Sequence, residues 1–213
     1  METNTNVAVF GYGEDSLTLW ALKNKLNEIL AGLGVDVKFS ECHILYRPSF
    51  GRGQRGCGEP DFMLLTPKKI YIGESKWPIS EKTCSGRAAC FRLKESQIRS
   101  RLKIKACIEC GLKNRVSGKL DWPKFQKKMR GRFKIPEEGS IWWKNFTAIM
   151  GIIPPGHVPE IENILLVFCD TEHPENTQEK LNKPDRFTKS REFKVIRLNH
   201  KEAFFKNHVF IRI

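Results

Sequence analysis

Long apolar stretches are missing from this sequence of 213 residues. No run approaches the roughly 20 apolar residues that a membrane-spanning helix needs, so we expect no membrane span. The opening residues METNTNVAVFGYGEDS also lack a basic start, an apolar stretch and a small-residue cleavage site. We therefore expect no secretory signal and a cytoplasmic protein. The hydrophobic content of 40% is enough for a buried core and argues against global disorder.

Histidine and cysteine lack the spacing that typical metal sites show. The five histidines are scattered and form no H-x3-H pattern, so histidine-based metal chemistry is not expected. The seven cysteines are odd in number and irregularly spaced, which indicates reduced thiols. Cys84, Cys90, Cys107 and Cys110 follow C-x5-C-x16-C-x2-C, but the second pair lies near the end of a predicted helix with no matching half. We favour free thiols over zinc or an iron–sulfur cluster.

Acidic residues are the minority charge. The chain has 24 Asp and Glu against 37 Lys and Arg, a net charge of +13. The excess is local, because residues 99–134 hold 13 basic and two acidic residues, a net of 13 − 2 = +11. A concentrated basic stretch attracts a polyanion and makes its binding depend on salt. The charge therefore favours a nucleic-acid partner over a surface that is merely solvated.

Hydrophobic periodicity and turn residues predict an α/β protein with a mixed central β-sheet flanked by helices. We expect one domain over 1–213, with a core at about 7–111 and 161–213 and a basic, aromatic insertion at about 112–160. The predicted elements before the insertion are a strand or apolar lead-in at 7–10, a helix from Ser16 to Leu33 ended by Gly32 and Gly34, a strand at 35–45, a flexible basic loop at 47–59, strands at 61–66 and 69–76 around Pro67-Lys68, and a helix at 88–109 ended by Gly111. Those after it are strands at 164–168 and 193–198 and a short helix or turn at 200–205.

Aromatic residues alternate with lysines and arginines inside the insertion. The aromatic positions are Trp122, Phe125, Phe133, Trp142, Trp143 and Phe146. Such a mixture could stack on nucleic-acid bases, or it could form a small core beneath a basic surface. We favour the core for the tryptophans, and both roles are compatible.

The two strands around Pro67-Lys68 predict a pair of facing carboxylates. If Thr66 pairs with Lys69, paired positions sum to 135, and Asp61 falls opposite Glu74. Opposed residues share a face, with Cβ atoms roughly 4.5–5.5 Å apart, and Lys76 shares that face because side chains alternate along a strand. The two carboxylates repel unless a cation such as Mg²⁺ lies between them, with the Ser75 carbonyl as a further ligand. Beside that cation, Lys76 would orient or deprotonate a water, because a neighbouring cation and partial burial lower the pKa of a lysine.

Pro60-Asp61 and Glu74-Ser75-Lys76 resemble the motif of the PD-(D/E)xK nuclease superfamily, which includes restriction endonucleases, Holliday junction resolvases and repair nucleases. Twelve residues separate the two acids, and the resemblance covers roughly residues 10–110 and the strand at 164–168. It implies a restriction-endonuclease-like core and DNA hydrolysis with Mg²⁺, for which Mn²⁺ is a possible substitute. It also implies Asp61, Glu74 and Lys76 as the catalytic residues.

The resemblance implies further site residues. Glu14, on the first helix, would join the metal site, although an acid near a helix N-terminus is favourable in any case. Gln97 matches a glutamine of the family loosely and is also typical of a solvated side chain, and Arg101 stands where some members have tyrosine. Candidate DNA contacts are Arg47, Arg52, Arg55, Gln97, Arg101, Lys124, Lys127, Lys128, Arg130 and Arg132.

The leading hypothesis is a Mg²⁺-dependent DNA endonuclease of restriction type that acts as a twofold homodimer. The alternatives are a structure-specific repair or recombination nuclease, similar to Holliday junction resolvases, and a non-catalytic DNA-binding module. VAVFGYGEDS also resembles the start of a dinucleotide-binding unit, but Ser16 replaces the third glycine. Because Glu14 and Asp15 would repel a pyrophosphate there, we expect no nucleotide cofactor.

Overall fold

The protein folds as an α/β structure with a central mixed sheet of five strands flanked by helices, as the sequence predicts. The computed structural model describes residues 9–51, 57–77, 95–169, 193–205 and 210–213. Within those ranges, no helix combines the length and the apolar character required to cross a membrane.

Helices and strands alternate along the chain. The helices are α1 Gly13–Asn24, α2 Leu26–Gly32, α3 Glu95–Lys113, α4 Trp122–Met129 and α5 Ile141–Ile152. The strands are β1 Phe10–Gly11, β2 His43–Tyr46, β3 Phe62–Leu65, β4 Lys69–Lys76, β5 Arg115–Val116, β6 Lys119–Leu120, β7 Glu160–Cys169, β8 Phe193–Asn199, β9 Phe204–Phe205 and β10 Phe210–Arg212. The central sheet has the order β2-β3-β4-β7-β8, β1-β10-β9 form a second sheet, and β5-β6 form a hairpin.

The chain divides into two compact units. The first, which we call the α1 unit, contains Met1–Glu41, Glu74–Arg92 and Ile164–Ile213. The second, the hairpin unit, contains Cys42–Gly73 and Leu93–Asn163. The insertion predicted from the sequence therefore belongs to the same unit as β2, β3 and the first half of β4.

In the α1 unit, the helix predicted from Ser16 to Leu33 is two helices, α1 and α2. They meet at Lys25, whose φ of −118° and ψ of 15° are not helical, so the prediction of one continuous helix is wrong. The predicted end is confirmed, because Gly34 has a φ of +67°, a conformation that glycine adopts without strain.

The strand predicted at 35–45 is too long, since β2 begins only at His43. A 3₁₀ turn at Phe39–Glu41 precedes it. This turn is closed by local hydrogen bonds, because the Lys38 amide donates to the Glu41 carboxylate and the Glu41 amide donates to the Lys38 carbonyl. Such local bonds compete with strand pairing, and they prevail here.

In the hairpin unit, β3 and β4 pair in the predicted register. The pairs are Leu65 with Ile70, Leu64 with Tyr71, Met63 with Ile72 and Phe62 with Gly73. The Thr66 side chain fastens the turn, because its hydroxyl accepts from the Lys69 amide at 3.0 Å. Because side chains alternate along a strand, a slip of one position would move every side chain of β3 to the opposite face. All four residues of β3 are buried, so such a slip would disturb the core on both faces.

Helix α3 runs through the glycine that was expected to end it. The prediction placed the end at Gly111, whereas the helix continues to Lys113; its predicted start at 88–94 lies outside the described residues. A Cβ at Gly111 would lie 2.8 Å from the Phe146 ring and 3.0 Å from the Met150 sulfur. The glycine therefore permits close packing of α5 on α3.

The insertion contributes to the core of the hairpin unit. Asp121 accepts from the Lys124 amide and begins α4, and Ser140 accepts from the Trp143 amide and begins α5. Trp122 and Trp142 are each 4% exposed, so the predicted core role of these tryptophans is confirmed. The core that they share with the strands and α3 includes Met63, Ile72, Ile108, Phe125 and Phe146.

The strands predicted at 164–168 and 193–198 are confirmed as parts of β7 and β8. β7 is longer than predicted because it begins at Glu160. After β8, a 3₁₀ turn at Lys201–Ala203 leads into β9, which agrees with the short helix or turn expected at 200–205.

Candidate active site

Three oxygen atoms converge on the ammonium group of Lys76 in the α1 unit. Its Nζ lies 2.7 Å from the Ser75 carbonyl, 3.1 Å from Glu14 Oε1 and 3.4 Å from Glu74 Oε1. These are three of the four residues that the sequence assigned to a metal, and the fourth, Asp61, belongs to the hairpin unit. Three oxygen atoms from three residues therefore surround the positive charge of Lys76.

Burial makes these contacts strong. The Glu74 side chain is 3% exposed and that of Lys76 is 19% exposed. A buried carboxylate requires a compensating charge or hydrogen bonds, and Lys76 supplies both. Lys76 therefore neutralises an acid that would otherwise be costly to bury.

Glu14 is fixed at both of its carboxylate oxygens. Oε1 faces Lys76, and Oε2 accepts a hydrogen bond from the Trp77 amide at 2.8 Å. Glu14 lies in the first turn of α1, where a negative charge is favoured by the helix dipole. Sequence reasoning missed the role of Trp77, whose ring packs against His200 and Phe204.

Asp61 lies at the outer end of the β3–β4 pairing, in the hairpin unit. Its amide donates to the Gly73 carbonyl at 3.1 Å, and its carbonyl accepts from the Arg47 amide at 2.9 Å. Asp61 is therefore held by backbone bonds on both sides, one residue beyond the pair of Phe62 with Gly73.

Arg101 is buried, with 2% of its surface exposed, so it does not fit the predicted role of a DNA contact. Its guanidinium donates to the Gly73 carbonyl at 3.1 Å, which is the oxygen that also receives the Asp61 amide. Burial lowers the pKa of Arg101 to about 10, and the negative charge of Asp61 opposes that shift. The Arg101 side chain therefore stabilises the end of the hairpin next to Asp61.

The other candidate DNA contacts have different positions. Arg47 is exposed, and Gln97 is half-buried with its carbonyl near the Arg101 guanidinium. Arg52 and Arg55 lie outside the described residues. The exposed candidates of the insertion are Lys124, Lys127, Lys128, Arg130 and Arg132. They form a basic surface on and just after α4, while the buried side of that helix carries Trp122, Phe125 and Met129.

The oxygen donors suit Mg²⁺, which prefers carboxylate and carbonyl ligands. Across the parts of the chain that can be described, no group of three or more His, Cys, Asp or Glu is arranged to hold a metal ion. The two carboxylates of Glu14 and Glu74 do not form such a group by themselves.

The described cysteines of the predicted cluster are free thiols within α3. Cys107 is buried and Cys110 is half-buried, while Cys84 and Cys90 lie outside the described residues. Cys107 interacts with the buried thiol of Cys57, and this contact and burial together raise the pKa of Cys107.

Comparisons with protein-family models, with curated proteins and with solved structures give no match to this chain.

Proposed function

We propose that this protein is a Mg²⁺-dependent DNA endonuclease, with Glu74 and Lys76 at its centre. The observation that carries the proposal is the convergence of Glu14, Glu74 and the Ser75 carbonyl on one cation, the Lys76 ammonium. The same three oxygens would serve a divalent ion if the Lys76 amine turned toward a water molecule. The motif resemblance supplies the reaction class.

Asp61 completes the proposed ligand set. The hairpin register pairs Phe62 with Gly73, and the Asp61 amide also donates to the Gly73 carbonyl, so the Asp61 backbone lies beside the residue that precedes Glu74. Arg101, buried beside Asp61, limits the conformations that this end of the hairpin can adopt.

Bound Mg²⁺ would polarise the scissile phosphate and stabilise the charge that develops on it. Glu74 and Asp61 would hold the ion, with Glu14 and the Ser75 carbonyl as further ligands. Lys76 would orient the attacking water, because its ammonium has three donor hydrogens in a half-buried position. Glu14, tied to the Trp77 amide, would set the position of that amine.

The basic surface on and after α4 supports DNA as the substrate. It combines exposed lysines and arginines in a segment with a net charge of +11, which suits a polyanion. The backbone amide of Arg47 donates a hydrogen bond to the Asp61 carbonyl, so these two residues are neighbours. The exposed Arg47 side chain is therefore a candidate contact to the phosphate that is cut. Cutting both strands would favour a twofold dimer.

The test is incubation of purified protein with plasmid, linear phage DNA and branched DNA, with Mg²⁺ or with EDTA. We expect Mg²⁺-dependent cutting, and Asp61→Ala should abolish it while leaving DNA binding largely intact. Glu109→Gln is a matched control, because Glu109 is an exposed acid on α3. Cutting at discrete sites would indicate a restriction-type enzyme, and cutting only at branches would indicate a resolvase. An unchanged rate in Asp61→Ala would refute the assignment.

A non-catalytic DNA-binding module is the second candidate. One observation favours it: Lys76 already compensates the buried Glu74 charge, so the acids have a structural partner without a metal. In that case DNA would shift in a gel at low salt and would remain uncut with Mg²⁺ or Mn²⁺.

A further inference from the structure

A cleft in the hairpin unit lies between α4 and the chain that returns from it. Its volume is about 600 Å³, and its lining is Gln126, Arg130, Phe133, Lys134, Ile135, Pro136 and Glu137. This size falls within the roughly 300–1,000 Å³ of small-ligand sites. The basic surface was proposed above as a contact for DNA phosphates, but a cleft of this size also has room for a flat ligand.

Backbone and side-chain hydrogen bonds fix both walls of the cleft. The amides of Arg132 and Phe133 donate to the Met129 carbonyl and turn the chain after α4. The Gln126 side chain then donates to the Pro136 carbonyl at 3.1 Å, which ties the returning segment to the helix. The cleft is therefore preformed.

The lining combines one aromatic ring with two cations. Phe133 is half-buried against the core, so its position is fixed by packing. Arg130 and Lys134 are exposed at the cleft, and the Lys103 ammonium lies 6.0 Å from the centre of the Phe133 ring. Aromatic rings stack on nucleobases whatever their sequence, while arginine and lysine bind phosphate.

We propose that this cleft binds one unpaired nucleotide, with its base against Phe133 and its phosphate on Arg130 and Lys134. Paired bases in a duplex are stacked on their neighbours and cannot enter such a cleft. The ligand is thus a nucleotide of a single strand, or a free nucleotide with the same chemistry. The inference rests on the proposed nucleic-acid role for its ligand class, but it does not require cleavage.

The experiment measures binding in EDTA, where no metal-dependent cutting interferes. Fluorescence anisotropy would follow a labelled dT12 strand and a labelled 12-base-pair duplex, with dAMP as a competitor. Phe133→Leu keeps an apolar side chain and removes the ring. It should weaken dT12 binding roughly fivefold or more, and duplex binding should change by less than about twofold.

Two double variants distinguish binding in the cleft from general attraction of DNA to positive charge. Arg130→Gln/Lys134→Gln and Lys127→Gln/Lys128→Gln each remove two exposed positive charges near α4, but only the first pair lines the cleft. We expect the first to weaken dT12 binding more than duplex binding, and the second to weaken both by similar factors. Since all four side chains are exposed, these variants keep the test valid if Phe133→Leu fails to fold.

The outcomes are distinct. Displacement of dT12 by dAMP would show that a free nucleotide suffices, and a ring-dependent preference for dT12 without displacement would show that the strand is needed; both support the cleft. Equal losses for dT12 and duplex in Phe133→Leu, or no loss, would overturn it. A ring-dependent preference in a protein that never cuts DNA would leave the cleft intact and reject the nuclease. DNA cutting without a ring-dependent preference for dT12 would support the nuclease and reject the cleft.

Discussion

Gly73, which directly precedes Glu74, has no room for an added methyl group. A Cβ at this position would lie 2.2 Å from two atoms of the Phe62 ring and 2.5 Å from a third. Normal carbon–carbon contacts are about 3.5–4.0 Å, so the strands or the ring must move by more than 1 Å. Phe62 is fully buried, so its ring can move only if neighbouring core residues also move.

We expect Gly73→Ala to destabilise the protein by about 3 kcal/mol, the upper end of the usual range for overpacking. Gly151→Ala is the matched control, because nothing lies within 4 Å of a Cβ there and the residue is in helix α5. That change should be neutral or slightly stabilising, since alanine favours helix by up to about 1 kcal/mol.

A double-mutant cycle identifies the cause. If the clash is with Phe62, the variant Phe62→Leu/Gly73→Ala should lose less stability than the sum of its single changes, because leucine gives space to the new methyl group. Urea denaturation followed by circular dichroism measures all four free energies of unfolding. The reasoning is refuted if Gly73→Ala is as stable as the parent, or if the two changes are additive.

Three further predictions concern the hairpin unit. Within the described residues the buried Tyr71 hydroxyl has no hydrogen-bond partner. Tyr71→Phe should therefore raise the free energy of unfolding by about 1 kcal/mol at pH 7. A lower free energy of unfolding for this variant in urea denaturation would contradict the prediction. Burial raises the pKa of Tyr71 to about 12, above the ordinary value of about 10, so the folded protein holds the phenol proton more tightly than the unfolded chain and loses stability as the pH rises from about 10 toward 12. Unfolding curves of Tyr71→Phe should lack this alkaline loss. Arg101→Met should cost about 2 kcal/mol, because it removes a charged hydrogen bond to the Gly73 carbonyl, and an unchanged urea midpoint would exclude the bracing role. DNA affinity should fall less steeply with salt in the double variant Lys124→Gln/Lys127→Gln. The slope of log affinity against log salt concentration should become shallower by about 0.9 for each phosphate that the protein no longer neutralises. An unchanged slope would show that these two lysines do not contact DNA.

Local chemistry made the hairpin predictable. Pro67-Lys68 separates two apolar runs, and Thr66 pairs with Lys69 as the register requires. Since alternate residues of a strand point to one face, the strand predicted at 69–76 was enough to place Glu74 and Lys76 together. In the structure, Lys76 Nζ lies 3.4 Å from Glu74 Oε1.

Long-range packing was not visible in the sequence. Arg101 was predicted to contact DNA, whereas its guanidinium is buried and donates to the carbonyl of Gly73, 28 positions earlier in the chain. Gly111 has the signature of a helix end, but the packing of Phe146 explains it. In both cases the partner is distant in sequence, so periodicity gives no signal.

The insertion was only partly predictable. Its helices could not be placed from periodicity, because proline and aromatic residues interrupt the pattern. The capping residues were present, however: Asp121 begins α4 with a proline in the first turn, and Ser140 begins α5. Helix capping would have placed both starts.

We propose that Glu74 belongs to a cation site that cuts DNA. The direct measurement is the rate at which supercoiled plasmid is nicked or linearised in Mg²⁺ by the parent protein and by Glu74→Gln, with both shown to be folded. We expect the parent to cut with Mg²⁺ and not with EDTA, and Glu74→Gln to be slower by at least 100-fold, roughly the loss that follows removal of one transition-state stabilising group. Equal rates for the two proteins, or no cutting by the parent with Mg²⁺ or Mn²⁺, would contradict the account.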